Sequence, residues 1–318
     1  METLQYFSVL LPLITSIFLA LIMIKTLKSQ ITKRKSHNNL PPGPRKFPII
    51  GNLHNLGGEH PHRRLATLSK TYGPIFYLKL GEIDSVVITS PTLAAETMKT
   101  HDLNLASRSQ FLATKIILYN GGDLVFAPHG KLWAQLRKIC TVELFSGKRV
   151  KSFVSIMEDV GHNMVEKIRK GTPAGAAVNI SELLLAVANT TVSRTAFGRD
   201  CEQSDRLFTA VLKSFKYMSG FDLADLYPSL SFLIAGITGL RQRSEKVRGD
   251  FDVILNEILE AHLEKAKGEE DDAEEDLVDV MLRLKKSGEL EDFITMDNIK
   301  AVIVVCSSYL FISTSKHY

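Results

Sequence analysis

From Thr3 to Ile24 no side chain is charged and most are apolar, including Phe7, Leu10, Leu13, Ile14, Phe18 and Leu21. Coiled as a helix at ~1.5 Å per residue, the stretch reaches ~33 Å, enough to cross a hydrocarbon layer of ~30 Å. A cleaved secretory signal would carry its basic residues first and a small-residue cleavage pattern last. Here the order is reversed: Lys25, Lys28, Lys33, Arg34 and Lys35 follow the apolar run. The positive-inside rule then keeps those residues cytosolic and leaves the short amino end lumenal. The expectation is a transmembrane signal anchor over residues 1–24 with a cytosolic body. A cleaved signal and a buried core helix are the alternatives, and Pro12 separates none of them, since membrane helices tolerate proline.

The charge of the whole chain, +4 from 39 basic and 35 acidic residues, is dominated by this end. Residues 1–58 hold seven Lys or Arg against Glu2 alone, leaving 32 basic and 34 acidic side chains for the rest. No basic stripe with interleaved aromatics lies beyond it, so nucleic acid is not an expected partner. With 45% hydrophobic residues and 3 Cys in 318, disordered and disulfide-scaffold classes are excluded. Cys140, Cys201 and Cys306 are odd in number and far apart, which suits a reducing compartment. In that setting the sequons at Asn179 and Asn189 are chance matches.

Pro41-Pro42-Gly43-Pro44 and Pro48 resist helix and predict a stiff connector, the end of a basic and proline-rich segment over residues 25–48. A short helix is predicted from His62 to Tyr72. Two β-rich runs, Ile75–Leu80 and Ile83–Thr89, flank Gly81-Glu82 and predict a hairpin. From Ser90 onward three- and four-residue apolar spacing dominates, with helices expected over Val150–Ile168, Ile180–Thr195, Ser204–Met218 and Phe251–Leu263. Phe221–Leu240, interrupted by Pro228, Gly236 and Gly239, reads as a loop with short helical turns. The acidic run from Glu269 to Asp276 repels itself and reads as a solvated connector. The fold class is mainly α with a small β-sheet.

No P-loop, His-Glu-x-x-His, Cys-x-x-Cys, Gly-x-Ser-x-Gly or Gly-x-Gly-x-x-Gly motif occurs, so no catalytic residue and no metal ligand is assigned. One pair stands out. Trp133 and Arg137, four apart, share a helix face, where an indole N–H and a guanidinium fork could converge on a carboxylate or phosphate. A packed aromatic with a surface cation over it would have the same spacing.

The order of these features carries a family resemblance. An apolar anchor and a basic flank precede Pro41-Pro42-Gly43-Pro44 with Pro48-Ile49-Ile50-Gly51-Asn52, then the hairpin and Ala106-Ser107-Arg108. Phe126-Ala127-Pro128-His129-Gly130 then leads into Lys131 to Cys140, followed by Glu143-Leu144-Phe145-Ser146 and Thr195-Ala196-Phe197-Gly198. This resembles a microsomal cytochrome P450, of the large plant group that oxidises terpenoids, alkaloids and phenolics, from the amino terminus to about Ile303. The resemblance implies a haem cofactor with Trp133 and Arg137 on a propionate. It implies a variable substrate-recognition loop between Arg108 and Phe126, and a channel-capping, membrane-touching loop at Phe221–Leu240. It also implies an endoplasmic-reticulum membrane location, NADPH-cytochrome P450 reductase as electron donor and a small apolar substrate oxidised with O2.

Thr295 to Ile303 matches the start of the family's long helix over the haem. Where the family then has Ala-Gly-x-Asp/Glu-Thr, this sequence has Tyr309-Leu310-Phe311-Ile312-Ser313. The family's Glu-x-x-Arg helix and the loop with its haem-ligating Cys would come after this point, and none of the three cysteines has that loop's context. The expectation is a partial P450 domain over residues 49–303, truncated at the start of the long central helix, with a divergent tail at 304–318. Such a chain is expected to be inactive. The alternative function is a non-catalytic, membrane-anchored fragment that binds or interferes with a reductase or an intact P450.

Overall fold

The computed structural model describes residues 40–58, 60–144, 146–171, 177–198, 203–218, 222–265, 275–290 and 293–314. The expected anchor, most of the basic flank, Cys201 and residues 269–274 of the acidic run lie outside them. No helix among the described residues is long and apolar enough to cross a membrane. The chain divides into two compact units, residues 1–80 with 84–93, and residues 81–83 with 94–318.

In the first unit Pro61 opens helix α1 (Pro61–Tyr72), and Gly73, at φ +94°, ends it by donating its N–H to Ser69 O. Strands β1 (Ile75–Leu80) and β2 (Ile83–Ile88) pair as the predicted hairpin. β1 alternates as a half-buried strand should, with Phe76, Leu78 and Leu80 inward. Asp84 accepts from Lys79 Nζ at 2.8 Å and from the Tyr77 hydroxyl. Burial pushes its carboxyl up, but these two donors and Lys46 outweigh that and hold it below the ordinary value.

The proline segment is fastened to this hairpin. Pro42 O accepts the Tyr77 N–H at 2.8 Å, and fully buried Asn52 bridges both partners. Its Nδ2 donates to Pro44 O and Arg45 O, while its Oδ1 accepts the Lys79 N–H at 2.8 Å. Gly51 makes the close approach possible: at φ +61°, an added Cβ would sit 2.1 Å from Lys79 O. Gly51→Ala is therefore expected to destabilise this unit by at least about 1 kcal/mol, read as a lower urea midpoint together with faster proteolysis after Arg45 or Lys46.

The second unit is helical. Helix α2 (Leu112–Ile117) is followed by α3 (Lys131–Ile139), α4 (Val154–Gly171), α5 (Ile180–Phe197) and α6 (Ser204–Met218). After α7 (Ser231–Thr238) come α8 (Leu240–Lys265), α9 (Leu277–Lys286) and α10 (Met296–Thr314). Polar caps set several starts. Asn179 accepts the Glu182 N–H ahead of α5, and Asp276 forms a reciprocal capping box with Asp279 ahead of α9. Phe251, Leu255 and Ile258 of α8, Val278 and Met281 of α9, and Ile299 and Ile303 of α10 form the centre of the core. α10 is buried on every side from Ile299 to Val304, so it runs through the unit rather than over it. Residues 304–314 continue that helix.

The observed elements refine the reading in three places. Val150 to Ile168 forms two helices, with a turn over Gly147–Ser152, capped by Ser146, ending at Phe153 before α4 begins. In Phe221–Leu240 Gly239 stops α7 in the left-handed region, but Gly236 is helical. Asp276, read as solvated, is buried.

Candidate functional site

α3 turns Leu136 and Ile139 into the core, which leaves Trp133 half-buried and Arg137 exposed on another face. The Arg137 guanidinium lies 5.1 Å from the Trp133 ring centroid, and the His129 ring 5.3 Å from it. Arg137 makes no ion pair among the described residues, unlike Arg149, Arg194, Arg206 and Arg283, each held by a carboxylate. Among those residues the cation is stacked but not neutralised. That donor set fits an anionic group with a planar, bidentate acceptor, and a haem propionate is such a group. His129 was not singled out from sequence, although its four-residue offset from Trp133 is the signal that could have found it.

The chain approaches α3 through a loop whose backbone is set by three successive positive φ values, Tyr119 (+50°), Asn120 (+64°) and Gly121 (+69°). Three contacts hold its shape. Tyr119 donates its hydroxyl to Asp252 of α8 at 2.8 Å, and Lys300 of α10 reaches the same oxygen at 3.1 Å. Burial, and then Asp252, push the Tyr119 hydroxyl well above its usual range. Asn298 of α10 donates to Gly122 O at 3.0 Å while its own carbonyl oxygen accepts from Thr295. Asp123, fully buried, accepts the Val125 and Phe126 N–H groups, and burial keeps its carboxyl above the ordinary value despite those donors. The first two of these anchors join residues far apart in sequence, so no local pattern announced them; the Asp123 turn is local.

Burial disfavours the thiolate form of both described cysteines. Burial pushes the Cys140 thiol up to about 11, and burial followed by the neighbouring Cys140 pushes Cys306 up to about 12. A different cluster joins α8 to α9. His262 Nδ1 lies 2.7 Å from Ile258 O and its Nε2 2.9 Å from Asp276 Oδ2. Both ring nitrogens face acceptors, so only the doubly protonated imidazolium satisfies both. Burial opposes that charge, but Asp276 and Asp279 prevail and raise the pKa. His262, Asp276 and Asp279 offer ligand atoms within 4.8 Å of one another. Asp276 Oδ1 is already committed to the Val278 and Asp279 N–H groups, so the cluster is an ion pair built into a helix cap.

The family model for cytochrome P450 matches residues 41–306. Cytochrome P450 71D8 of Glycine max is 44% identical over 278 residues, 85% of this chain and 55% of that protein. Salviol synthase of Salvia pomifera is 43% identical over 295 residues, 92% of this chain and 57% of its own length. Desmethyl-deoxy-podophyllotoxin synthase of Sinopodophyllum hexandrum is 39% identical over 295 residues, with the same two shares. The chain thus spans somewhat more than half the length of these relatives. With the match running through the proline segment, the hairpin, α3 and the first turns of α10, the chain belongs to the cytochrome P450 family.

Proposed function

We propose that these residues are the amino-terminal portion of a haem-thiolate monooxygenase that oxidises an apolar plant secondary metabolite, with electrons from NADPH through cytochrome P450 reductase. The observation that carries the reading at this site is Arg137 stacked beside Trp133 and, among the described residues, without an ion-pair partner. Haem, when bound through a thiolate, supplies the O2 chemistry. The residues here hold its edge: Trp133 and Arg137 orient a propionate, while the Tyr119–Asp252 and Asn298–Gly122 contacts fix the loop beside them. The names of the relatives, salviol synthase among them, support a secondary-metabolite substrate. In the whole protein Arg137→Ala is expected to weaken haem binding roughly 10- to 100-fold, the loss of one charge-assisted hydrogen bond. Haem-to-protein ratio after gel filtration measures it, and an unchanged ratio would falsify the propionate role.

The haem ligand is assigned to a Cys outside these residues, so the 318-residue chain by itself, reduced under CO, is expected to show no thiolate-haem absorption band. Appearance of the band would overturn that assignment. Residues 3–24 are proposed as a single-pass anchor in the endoplasmic reticulum with the body cytosolic. Supporting a second membrane contact, α7 leaves Phe232 and Ile237 about four-fifths exposed, at 80% and 79%. The non-catalytic alternative, interference with a reductase or an intact P450, draws on the exposed apolar residues Met157 and Val165 of α4 and Leu184 of α5.

A further inference from the structure

Tyr119, Asn120 and Gly121 adopt left-handed backbone in succession, with φ of +50°, +64° and +69°. L residues visit that conformation one at a time, and it is mostly Gly, Asn or Asp that does so, because Cβ is driven toward the following carbonyl. Gly121 and Asn120 suit it, whereas Tyr119, a bulky residue at the head of the run, is strained there. Its own backbone bonds tie the run only to the end of α2: Asn120 N–H donates to Lys115 O at 2.6 Å and Gly121 N–H to Leu118 O at 3.0 Å.

The Tyr119 side chain supplies the long-range hold. Its ring is buried within reach of two cations, the Arg248 guanidinium 4.8 Å and Lys300 Nζ 5.9 Å from the centroid. Both cations also meet Asp252, the carboxylate that accepts the Tyr119 hydroxyl. Lys300 Nζ lies 3.1 Å from Oδ1, and Arg248 Nε lies 3.7 Å from Oδ2. Arg248 has a second acid in Asp297 Oδ2, at 3.6 Å. Two cations and two carboxylates therefore balance around one neutral phenol. Tyr119 can leave without stranding a buried charge: departure costs one hydrogen bond and the burial of the ring, and it returns the strain of the run. Beyond the run, Gly122 O stays pinned by Asn298 Nδ2 at 3.0 Å.

We propose that Tyr119 is a strain-loaded latch. Docked on Asp252, it holds residues 118–121 in the left-handed run; undocked, it lets that run relax as one piece between α2 and the Gly122 pin. In the monooxygenase proposed above, Asp252 is then a positioning residue that acts through Tyr119 on the segment between Arg108 and Phe126. That second step rests on the proposed function, and the latch does not.

Hydrogen exchange of the 318-residue chain, read by mass spectrometry on peptides covering residues 113–122, tests the latch without haem or substrate. Tyr119→Phe deletes only the hydroxyl and is expected to raise exchange of the Asn120, Gly121 and Gly122 amides about 10-fold, with α9 unchanged. Asp252→Asn weakens the same bond from its other side, and the double variant is expected to match the larger single effect. Asn120→Ala leaves the latch intact but tolerates the left-handed region less well, so it is expected to raise the same exchange roughly several-fold. Unchanged exchange in Tyr119→Phe and Asp252→Asn would overturn the latch, and additive effects would overturn the pairing. Asn120→Ala without effect would overturn the stored strain. A rise spreading equally to α9 would show that the run does not move on its own. Haem retention indifferent to Arg137 would remove the positioning role and leave the latch standing.

Discussion

Phe251→Ala is expected to lower the unfolding free energy by about 3–5 kcal/mol, the range for an aromatic side chain removed from a close-packed core. Phe251 is fully buried on α8, in the cluster that also takes in α9 and α10. The ring has no polar group to rescue by solvation, and the void left behind is lined by helices whose positions other contacts fix. Asp252, the next residue, ties α8 to Tyr119 and to Lys300, so local collapse around the void is restrained. A urea titration followed by far-ultraviolet circular dichroism reads the shift. A loss under about 1 kcal/mol would place Phe251 outside a close-packed core.

The second large effect is at His262. His262→Leu removes one member of a buried ion pair and leaves the Asp276 carboxylate without its cation, a change expected to cost about 3 kcal/mol. The pair also makes stability depend on pH. The folded-state pKa of His262 is raised above its ordinary value of 6.5, so the unfolded chain loses the proton first as pH rises. The contribution is complete below about pH 6.5 and is lost as pH climbs through the raised value. Asp279 faces the ring from α9 and Lys265 stands near Asp279 from α8, so neither neighbour reverses the sign. His262→Gln, which keeps an N–H donor but cannot titrate, is expected to abolish the His262 share of this slope. A slope identical to the parent's would show that His262 does not titrate in this range.

What the sequence disclosed and what it hid divide by distance along the chain. α1, the hairpin, α5 and α6 lie within a residue or two of their predicted bounds, because apolar spacing and the Gly and Asp punctuation that stops a helix are local signals. Trp133 and Arg137 were legible for the same reason: a four-residue offset is a local fact. Asp276 was misread because seven acidic residues over Glu269–Asp276 look uniform in sequence, and only the packing of α9 on α8 buries Asp276 beside a histidine 14 positions earlier. Tyr119 meets Asp252 across 133 positions and Asn298 meets Gly122 across 176. No periodicity encodes such pairs.

The Asn298–Gly122 contact has a consequence for how this chain can vary. An added Cβ at Gly122 would lie 2.3 Å from Asn298 Nδ2, so the end of the loop is bolted to the first turn of α10 with no room for a side chain. Upstream, the backbone N–H of Leu112 is held by the Asp225 carboxylate at 2.7 Å. Between these two bolts Ala113, Ile117 and Leu118 belong to the core and Tyr119 is tied to Asp252, so variation within residues 113–118 that leaves the frame in place is confined to the exposed Lys115 and the half-buried Ile116.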